Sequence, residues 1–195
     1  IRIIFVSGEF KPTREHCGPV TLEFHHALPF DVVQDLLRAA DLVVSDNVTS
    51  SSLSRAVLEG ISAAVTVNSV SCMRDGRGMA FLSPFPLSQY ATDRLAEMEA
   101  RTPYSVFPYT VFPLGWAEET RLLFEGNPYG STFERIELFD EEDATGKLES
   151  LLFDKSSRAE LSLRQTAYVA QLRNLPHPSA IAGNIAGTFQ TGGIS

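Results

Sequence analysis

Residues 46–52 of this chain, Asp-Asn-Val-Thr-Ser-Ser-Ser, follow a short apolar segment and precede a helical pattern. Their hydrogen-bonding side chains include those of Asn47, Thr49, Ser50, Ser51 and Ser52. The first turn of a helix has unpaired N–H groups and a partial positive charge, so hydroxyls placed there can help to bind a phosphate. The same residue types also cap helices. The pattern therefore leaves two interpretations open: a diphosphate-binding site, or simple capping by Thr49 or Ser50.

The ends of other predicted strands carry further candidate binding residues. In an open parallel sheet, ligands bind beyond the carboxyl ends of the strands. Gly8 ends the first predicted strand, and a glycine there lets a ligand approach the backbone closely. Asn68 and Ser69 follow the fourth predicted strand. We therefore expect these residues at the same edge as the hydroxyl-rich stretch.

Two histidines and two arginines could add to such a site. His25 and His26 leave the second predicted strand. An adjacent pair is typical of one core and one surface residue, and a ligand-lining role is also open. Arg74 and Arg77 lie in a Gly-bearing loop and could either contact a diphosphate or face solvent.

Several well-known site signatures are absent from the sequence. It contains no GxGxxG after the first strand, which disfavours a dinucleotide-binding Rossmann site. It contains no GxxxxGK[ST] phosphate loop and no GxSxG nucleophile turn. The acidic run at residues 140–143 has the pattern of a helix start, and no metal site is predicted from it.

The composition bounds the function more broadly. The 195 residues carry a net charge of -8, which argues against a nucleic-acid partner, and 44% of them are hydrophobic, as in a globular protein. Cys17 and Cys72 are predicted to be free thiols in a reducing compartment, and we expect a cytoplasmic location. No run reaches the roughly 18 apolar residues of a membrane span.

The order of predicted elements indicates an α/β fold. Strands are predicted at residues 1–8, 19–27, 42–45, 63–69 and 132–139, and helices at residues 30–41, 50–60, 87–101, 117–126, 140–154 and 156–175. Loops are predicted at residues 9–18 and 70–86. Pro108 and Pro113 exclude a regular central strand across the whole of residues 103–116. Asp31 is a predicted N-cap, and Gly60 a predicted helix end. Alternating strands and helices favour a Rossmann-like, mostly parallel sheet with helices on both faces.

Three segments of the sequence resemble a known family. They are LPFDVVQDLLRAADLVVSDNVTSSSLSRAVLEGISAAVTVNS (28–69), FPLGWAEETRLLFEGN (112–127) and ERIELFDEEDATGKLESLLFDKSSRAELSLRQ (134–165). In their order and their residue patterns they resemble the C-terminal, donor-binding half of GT-B-fold glycosyltransferases. The likeness covers about two thirds of the chain, in pieces, and rests on a pattern rather than a strict signature.

The resemblance implies a nucleotide-sugar-binding domain at residues 1–175, followed by a tail at residues 176–195. It implies that a nucleoside diphosphate sugar is the co-substrate, transferred to a small-molecule acceptor, with no bound metal or other cofactor. The implied contacts are Thr49 to Ser52 for the diphosphate, His26, Leu28 and Val32 for the base, and Asn68, Ser69 and Gly115 for the sugar. Because the chain begins directly on a strand, we expect a preceding N-terminal domain, which would supply the acceptor site.

Other positions depart from the family pattern. Asn47 and Val48 stand where many members have His-Gly-Gly, and Arg55 stands where an acid is common. The acid-Gln pair that many members carry after the fourth strand is missing here. These departures keep an alternative open: a non-catalytic, Rossmann-like interaction or auxiliary module of a glycosyltransferase.

Overall fold

The computed structural model describes residues 1–7, 11–75, 78–101, 128–176 and 179. The chain divides into two compact units, Ile1–Asp41 and Leu42–Ser195. The predicted limits of a domain at residues 1–175 and a tail at residues 176–195 stay predictions.

The N-terminal unit is built on a three-stranded sheet. Strands β1 (Arg2–Val6), β2 (Thr13–Cys17) and β3 (Val20–His25) lie in the order β1-β3-β2. β1 is parallel to β3, and β2 is antiparallel to it. The turn from β2 to β3 contains Gly18, whose φ of 57° is a left-handed conformation that glycine adopts without strain.

Strand β2 lies within residues 9–18, where the sequence predicts a loop, and that prediction is wrong. All five residues of β2 are exposed, so the strand shows no alternation of apolar and polar side chains. Its hydrogen bonds to β3 define it instead, and a pattern of neighbours along the chain does not show such pairing. Cys17, at the end of this strand, is a free and exposed thiol, as predicted.

Helix α1 (Phe30–Ala39) starts one residue earlier than its predicted cap. Pro29 is the N-cap and offers no side-chain hydrogen bond, while Asp31 lies in the first helical turn. The prediction that Asp31 is the N-cap is therefore wrong. Pro29 has a ψ of 148°, and its carbonyl accepts the first helical bond, from the N–H of Val33 at 3.0 Å. The negative charge of Asp31, in the first turn, still stabilises the helix by its interaction with the positive end of the macrodipole.

The C-terminal unit contains a parallel sheet. Its strands are β4 (Val43–Ser45), β5 (Ala63–Val67) and β8 (Glu134–Glu137), in the order β4-β5-β8. Helix α2 (Ser51–Glu59) connects β4 to β5, and helices α4 (Glu141–Phe153) and α5 (Lys155–Arg173) follow β8. Gly60 ends α2 with a φ of 73°, the left-handed conformation that a glycine C-cap takes, as predicted.

Strand β5 is the centre of this unit and is buried on both faces. Ala63 and Val65 join one core cluster, with Leu53, Ala56 and Val57 of α2. Ala64, between them, faces the opposite way and joins a second cluster with Ile136, Leu151 and Leu161. The alternation of side chains along the strand thus supplies both clusters, and helices cover both faces of the parallel sheet.

A β-hairpin and a helix occupy the middle of the chain. β6 (Ser71–Asp75) pairs antiparallel with β7 (Gly78–Leu82), and α3 (Gln89–Arg101) follows. Residues 70–86 are predicted as a loop, so the hairpin corrects that prediction. The Gly, Pro and Ser residues of this segment favour a loop in the sequence, whereas the pairing of β6 with β7 defines the hairpin. Val70, Ala91, Leu95 and Phe139 form a third buried cluster.

The fold class is α/β with a small parallel sheet and helices. The strands of the described residues are divided among separate sheets, whereas the alternation of elements predicts a single one. The remaining predicted strands and helices are found, within a few residues of their predicted limits, except for the helix at residues 117–126. That helix and the proline-bearing segment at residues 103–116 lie outside the described residues. In the part of the chain that is described, no helix combines the length and apolar character needed to cross a membrane.

Gln165 of α5 provides a test of this core. Its side chain is 1% exposed, and its Nε2 donates to the carbonyl oxygens of Ile61 and Thr132, both at 3.0 Å. We expect Gln165→Glu to destabilise the protein by at least ~2 kcal/mol, because it removes both donors and buries a charge. Chemical unfolding measures the difference. Gln171→Glu, an exposed position on the same helix, is the matched control and should change stability by less than about 0.5 kcal/mol. Equal effects of the two substitutions would contradict the role given to Gln165.

Candidate functional site

The three parallel strands of the C-terminal unit end at one edge of their sheet. We call this the carboxyl edge and define it by residues 45–52, 68–69 and 137. The register pairs Ser45 with Val65 and Val67 with Glu137, so the chain leaves β4, β5 and β8 on the same side. In sheets of this kind the carboxyl edge is where ligands bind. The structure therefore brings the predicted residues after the third strand together with Asn68 and Ser69.

The turn after β4 is organised by Asn47. Its Oδ1 accepts hydrogen bonds from the backbone N–H of Thr49 at 2.9 Å and from the Thr49 hydroxyl at 2.8 Å. The hydroxyl of Ser45 bonds to both the N–H and the carbonyl oxygen of Asn47, at 3.1 and 3.0 Å. Asn47 and Thr49 thus hold the shape of the turn through contacts with each other and the backbone.

The first turn of α2 follows directly. Ser50 is the N-cap, and its hydroxyl accepts from the N–H of Leu53 at 3.5 Å, so the prediction of capping is confirmed for Ser50. Ser51 and Ser52 occupy the next two positions, and Ser51 is exposed. Among the residues that the structure describes, no acceptor is bound by the backbone N–H groups or the hydroxyls of Ser51 and Ser52. These groups are the ones with which an anion could bond.

Tyr129 anchors the loop that enters α2. Its hydroxyl lies 3.0 Å from Ser54 Oγ and donates to the carbonyl oxygen of Val48 at 3.3 Å. Val48 is buried, and the Tyr129 ring lies 5.3 Å from that of Phe133 and 5.5 Å from that of Tyr168, between centroids. The loop is therefore held by the core cluster, and the N–H groups of the first turn have a fixed direction.

The ends of β5 and β8 are joined by Glu137. Its Oε1 accepts from the N–H of Ser69 at 2.8 Å, and its Oε2 accepts from the Ser69 hydroxyl at 2.7 Å. Asn68 bonds locally, accepting from the N–H of Val70 at 2.9 Å. Glu137 was not predicted as a site residue, because only the pairing of β5 with β8 places it beside Ser69. A carboxylate here can accept hydrogen bonds from the hydroxyl groups of a ligand.

An ion pair supports the end of β8. Asp143 Oδ2 accepts from the N–H of Glu137 at 3.2 Å, and Lys147 Nζ lies 2.8 Å from Asp143 Oδ1. Burial would raise the pKa of Asp143, but the Lys147 ammonium and that N–H hold it below its ordinary value. Lys147 also donates to the carbonyl oxygen of Arg135 at 2.6 Å. These bonds fix the backbone on which Glu137 stands.

The other predicted site residues lie elsewhere. His26 is exposed and Leu28 is half-buried, and both belong to the N-terminal unit, as does Val32. His25 ends β3 and His26 follows it. The N–H of Ser7 donates to the carbonyl oxygen of His25 at 3.1 Å, so β1 and β3 end side by side. Gly8, Arg77 and Gly115 lie outside the described residues.

The described side chains offer no ready metal site. Across residues 1–7, 11–75, 78–101 and 128–176, no three His, Cys, Asp or Glu side chains are grouped so that they could hold an ion. The groups at the carboxyl edge are instead N–H, hydroxyl and amide groups with two carboxylates, those of Asp46 and Glu137, a set suited to hydrogen bonding.

Comparison with known proteins gives a family. Residues 1–190 match DUF6365, described as a family of unknown function. The chain belongs to the DUF6365 family. No curated protein and no solved structure matches it. For this DUF6365 member, the geometry of the chain itself therefore carries any inference about function.

The N-terminal unit of this DUF6365 chain holds a charged cluster around Glu23, which is 4% exposed. Arg2 donates to it through Nε at 3.1 Å and Nη2 at 2.9 Å, and Arg14 Nη2 lies 2.7 Å away. His25 Nε2 completes the set at 3.4 Å. The Arg2 hydrogen bonds, opposed by burial and assisted by His25 and Arg14, lower the pKa of Glu23 to about 2. No sequence pattern indicates this cluster, since its members come together only through the strand register.

The lowered pKa predicts a pH-dependent stability. The unfolded-state value is about 4.5, so the stabilisation by Glu23 is complete above that pH and is lost as the pH falls towards about 2. We expect Glu23→Gln to unfold more easily than the native protein at pH 7, with a difference that shrinks steadily between pH 4.5 and 2. Thermal unfolding across this range measures it.

Glu15→Gln is the matched control for this titration. Glu15 is an exposed carboxylate on β2 and makes no ion pair with the described part of the chain. Its substitution should leave the pH profile of stability unchanged. A difference between native protein and Glu23→Gln that stays constant from pH 7 to pH 2 would contradict the ion-pair account.

Proposed function

We propose that this chain binds the nucleoside diphosphate sugar donor of a glycosyltransferase, with the diphosphate at the start of α2. One observation carries the proposal. The exposed first turn of a helix, with N–H groups and hydroxyls at Ser51 and Ser52 that have no partner among the described residues, follows a strand of a parallel sheet directly. The likeness of residues 28–69 to the donor-binding half of GT-B enzymes supports the same assignment.

The chemistry of transfer fits this arrangement. When the sugar leaves, negative charge grows on the diphosphate, and N–H groups aimed at that charge stabilise the transition state. The helix macrodipole adds a partial positive charge at the same point. Because Tyr129 and Asn47 hold the loop, these groups need not reorganise as the charge develops.

The neighbouring strand exits suit the sugar. Asn68, Ser69 and Glu137 lie at the same edge. The amide of Asn68, the hydroxyl of Ser69 and the carboxylate of Glu137 are all groups that can hydrogen-bond to sugar hydroxyls. Base recognition by His26 and Leu28, and sugar contact by Gly115, are part of the same proposal and follow from the family likeness alone.

The auxiliary-module alternative has one specific observation in its favour. Asn68 bonds to its own backbone neighbour, and both Ser69 donors bond to Glu137, so this part of the edge is satisfied without a ligand. Turnover separates the two proposals. If the full-length protein alone hydrolyses or transfers a nucleotide sugar, the auxiliary assignment fails.

Ser51→Pro tests the diphosphate site directly. Proline is favoured at the first helical position, and Ser50 before it has φ -58° and ψ 131°, which proline tolerates. The substitution therefore removes one N–H with little effect on folding. Loss of a hydrogen bond to a charged group should weaken binding by about tenfold or more. Calorimetry with UDP-, dTDP- and GDP-sugars on the full-length protein measures the affinity.

Ser51→Ala is the control for Ser51→Pro, because it removes the hydroxyl and keeps the N–H. It should bind the donor more tightly than Ser51→Pro, because only the proline variant also lacks the N–H. Equal affinity of Ser51→Pro and Ser51→Ala would show that the N–H at the start of α2 does not bind the diphosphate. If none of the three donors binds detectably, the proposed function is wrong.

Asp46 supplies a second, electrostatic test. It is exposed beside Asn47, and its charge opposes an anion at the helix start. We expect Asp46→Asn to tighten binding of the nucleotide sugar by about fivefold at low ionic strength, as for an exposed charge pair. The gain should shrink in ~0.5 M salt, where exposed charges are screened. Weaker binding by Asp46→Asn would indicate that the carboxylate contacts the ligand favourably.

A further inference from the structure

One face of the N-terminal sheet is cationic, although the chain as a whole carries a net charge of -8. The strand register and the alternation of side chains put five ionisable groups on this face: Arg2, Arg14, His16, Glu23 and His25. Within strands β1, β2 and β3, Glu23 is the only acid on that side. Two permanent positive charges thus stand against one negative charge.

Glu23 does not present its charge to solvent. Its Oε1 accepts from Arg2 Nε and lies 2.7 Å from Arg14 Nη2. Its Oε2 accepts from Arg2 Nη2 and lies 3.4 Å from His25 Nε2. Its side chain is 5% exposed, whereas those of Arg2 and Arg14 are 59% and 62% exposed. An approaching ligand therefore meets the two guanidinium groups, and the carboxylate beneath serves to hold them in place.

The held guanidinium groups keep free donors. Each arginine has five N–H groups, and Arg2 uses Nε and Nη2 while Arg14 uses Nη2. Arg2 Nη1, Arg14 Nε and Arg14 Nη1 bind no acceptor in the part of the chain that the structure describes. Both groups touch the same carboxylate, so they are close enough to share one anion. The fixed side chains lose little entropy when they bind it.

A pocket of about 270 Å³ lies beside these donors, lined by Pro12, Thr13, Arg14, Glu23, Phe24 and His25. It has room for one phosphate group and a small organic substituent. Arg14 and His25, on the cationic face, supply its N–H donors, and Pro12 supplies apolar surface. A tetrahedral phosphate offers enough oxygen atoms to bond several of these donors at once.

We propose that Arg14, with Arg2 and His25, forms a second binding site, for the phosphate group of a small molecule. The site lies in the N-terminal unit and does not depend on the proposed donor site at the carboxyl edge. Glu23 is its positioning residue, because it contacts the side chains of Arg2, Arg14 and His25.

Titration with inorganic phosphate, at constant ionic strength set with sodium chloride, tests the site. The readout is the NMR signals of the arginine Nε–Hε groups of the full chain. We expect saturable shifts of the Arg2 and Arg14 signals, and at least tenfold weaker binding in Arg14→Gln, which loses charge-assisted hydrogen bonds. Arg14→Lys, which keeps the ion pair with Glu23, should also bind more weakly because it lacks the planar fork.

Controls separate this site from general charge effects and from the donor site. Arg38→Gln, an exposed arginine on α1, and Ser51→Pro should both keep native phosphate affinity at Arg14. A parallel titration with glycerol 3-phosphate identifies the source: tighter binding than inorganic phosphate supports a phosphomonoester, and weaker binding supports the free ion. Absence of saturation with both ligands, equal binding of acetate, or native affinity in both Arg14 variants would overturn the proposal.

Discussion

Burial of β5 on both faces is the constraint on which the C-terminal unit depends. Ala63, Ala64 and Val65 are each 0% exposed, and consecutive side chains point into different core clusters. A strand with two apolar faces is stable only when helices cover both, so α2 on one side and α4 with α5 on the other follow from it. Two small alanines let those helices approach closely, and Gln165 then satisfies the carbonyl groups of Ile61 and Thr132, which precede β5 and β8.

The carboxyl edge derives its geometry from the same core. Val48 and Leu53 are buried in the cluster that contains Ala63 and Val65, and Tyr129 reaches from that cluster to the loop before α2. The N–H groups of Ser51 and Ser52, in the first turn of α2, therefore lie between two buried residues, Val48 and Leu53. Glu137 similarly joins the carboxyl ends of β5 and β8, because it binds the N–H and hydroxyl of Ser69. The geometry of the carboxyl edge is thus set by the packing of the core cluster beneath it.

Sequence patterns predicted the parts of this fold that are encoded locally. The apolar run of residues 42–45, the Gly60 stop and the acids before α4 each mark an element through its own residues. Strand β2 could not be predicted, because its polar residues are ordered by pairing with β3. Glu137 and the Glu23 cluster were missed for a related reason: both depend on which residues face each other across strands. The pattern of residue types along the chain does not show which residues are paired across strands until the strand order of the sheet is known.

The two proposed anion sites would use positive charge in physically different ways. At the start of α2 the donors are backbone N–H groups, whose direction is set by the helix and whose charge does not titrate. On the N-terminal sheet the donors are guanidinium groups, which are flexible until a buried carboxylate holds them. The first arrangement suits a charge that changes during a reaction, because the dipoles are already aligned. The second suits static binding, since part of the arginine charge is already balanced by Glu23. An acidic chain of net charge -8 can attract anions only through such local arrangements, where a few oriented donors outweigh the long-range field.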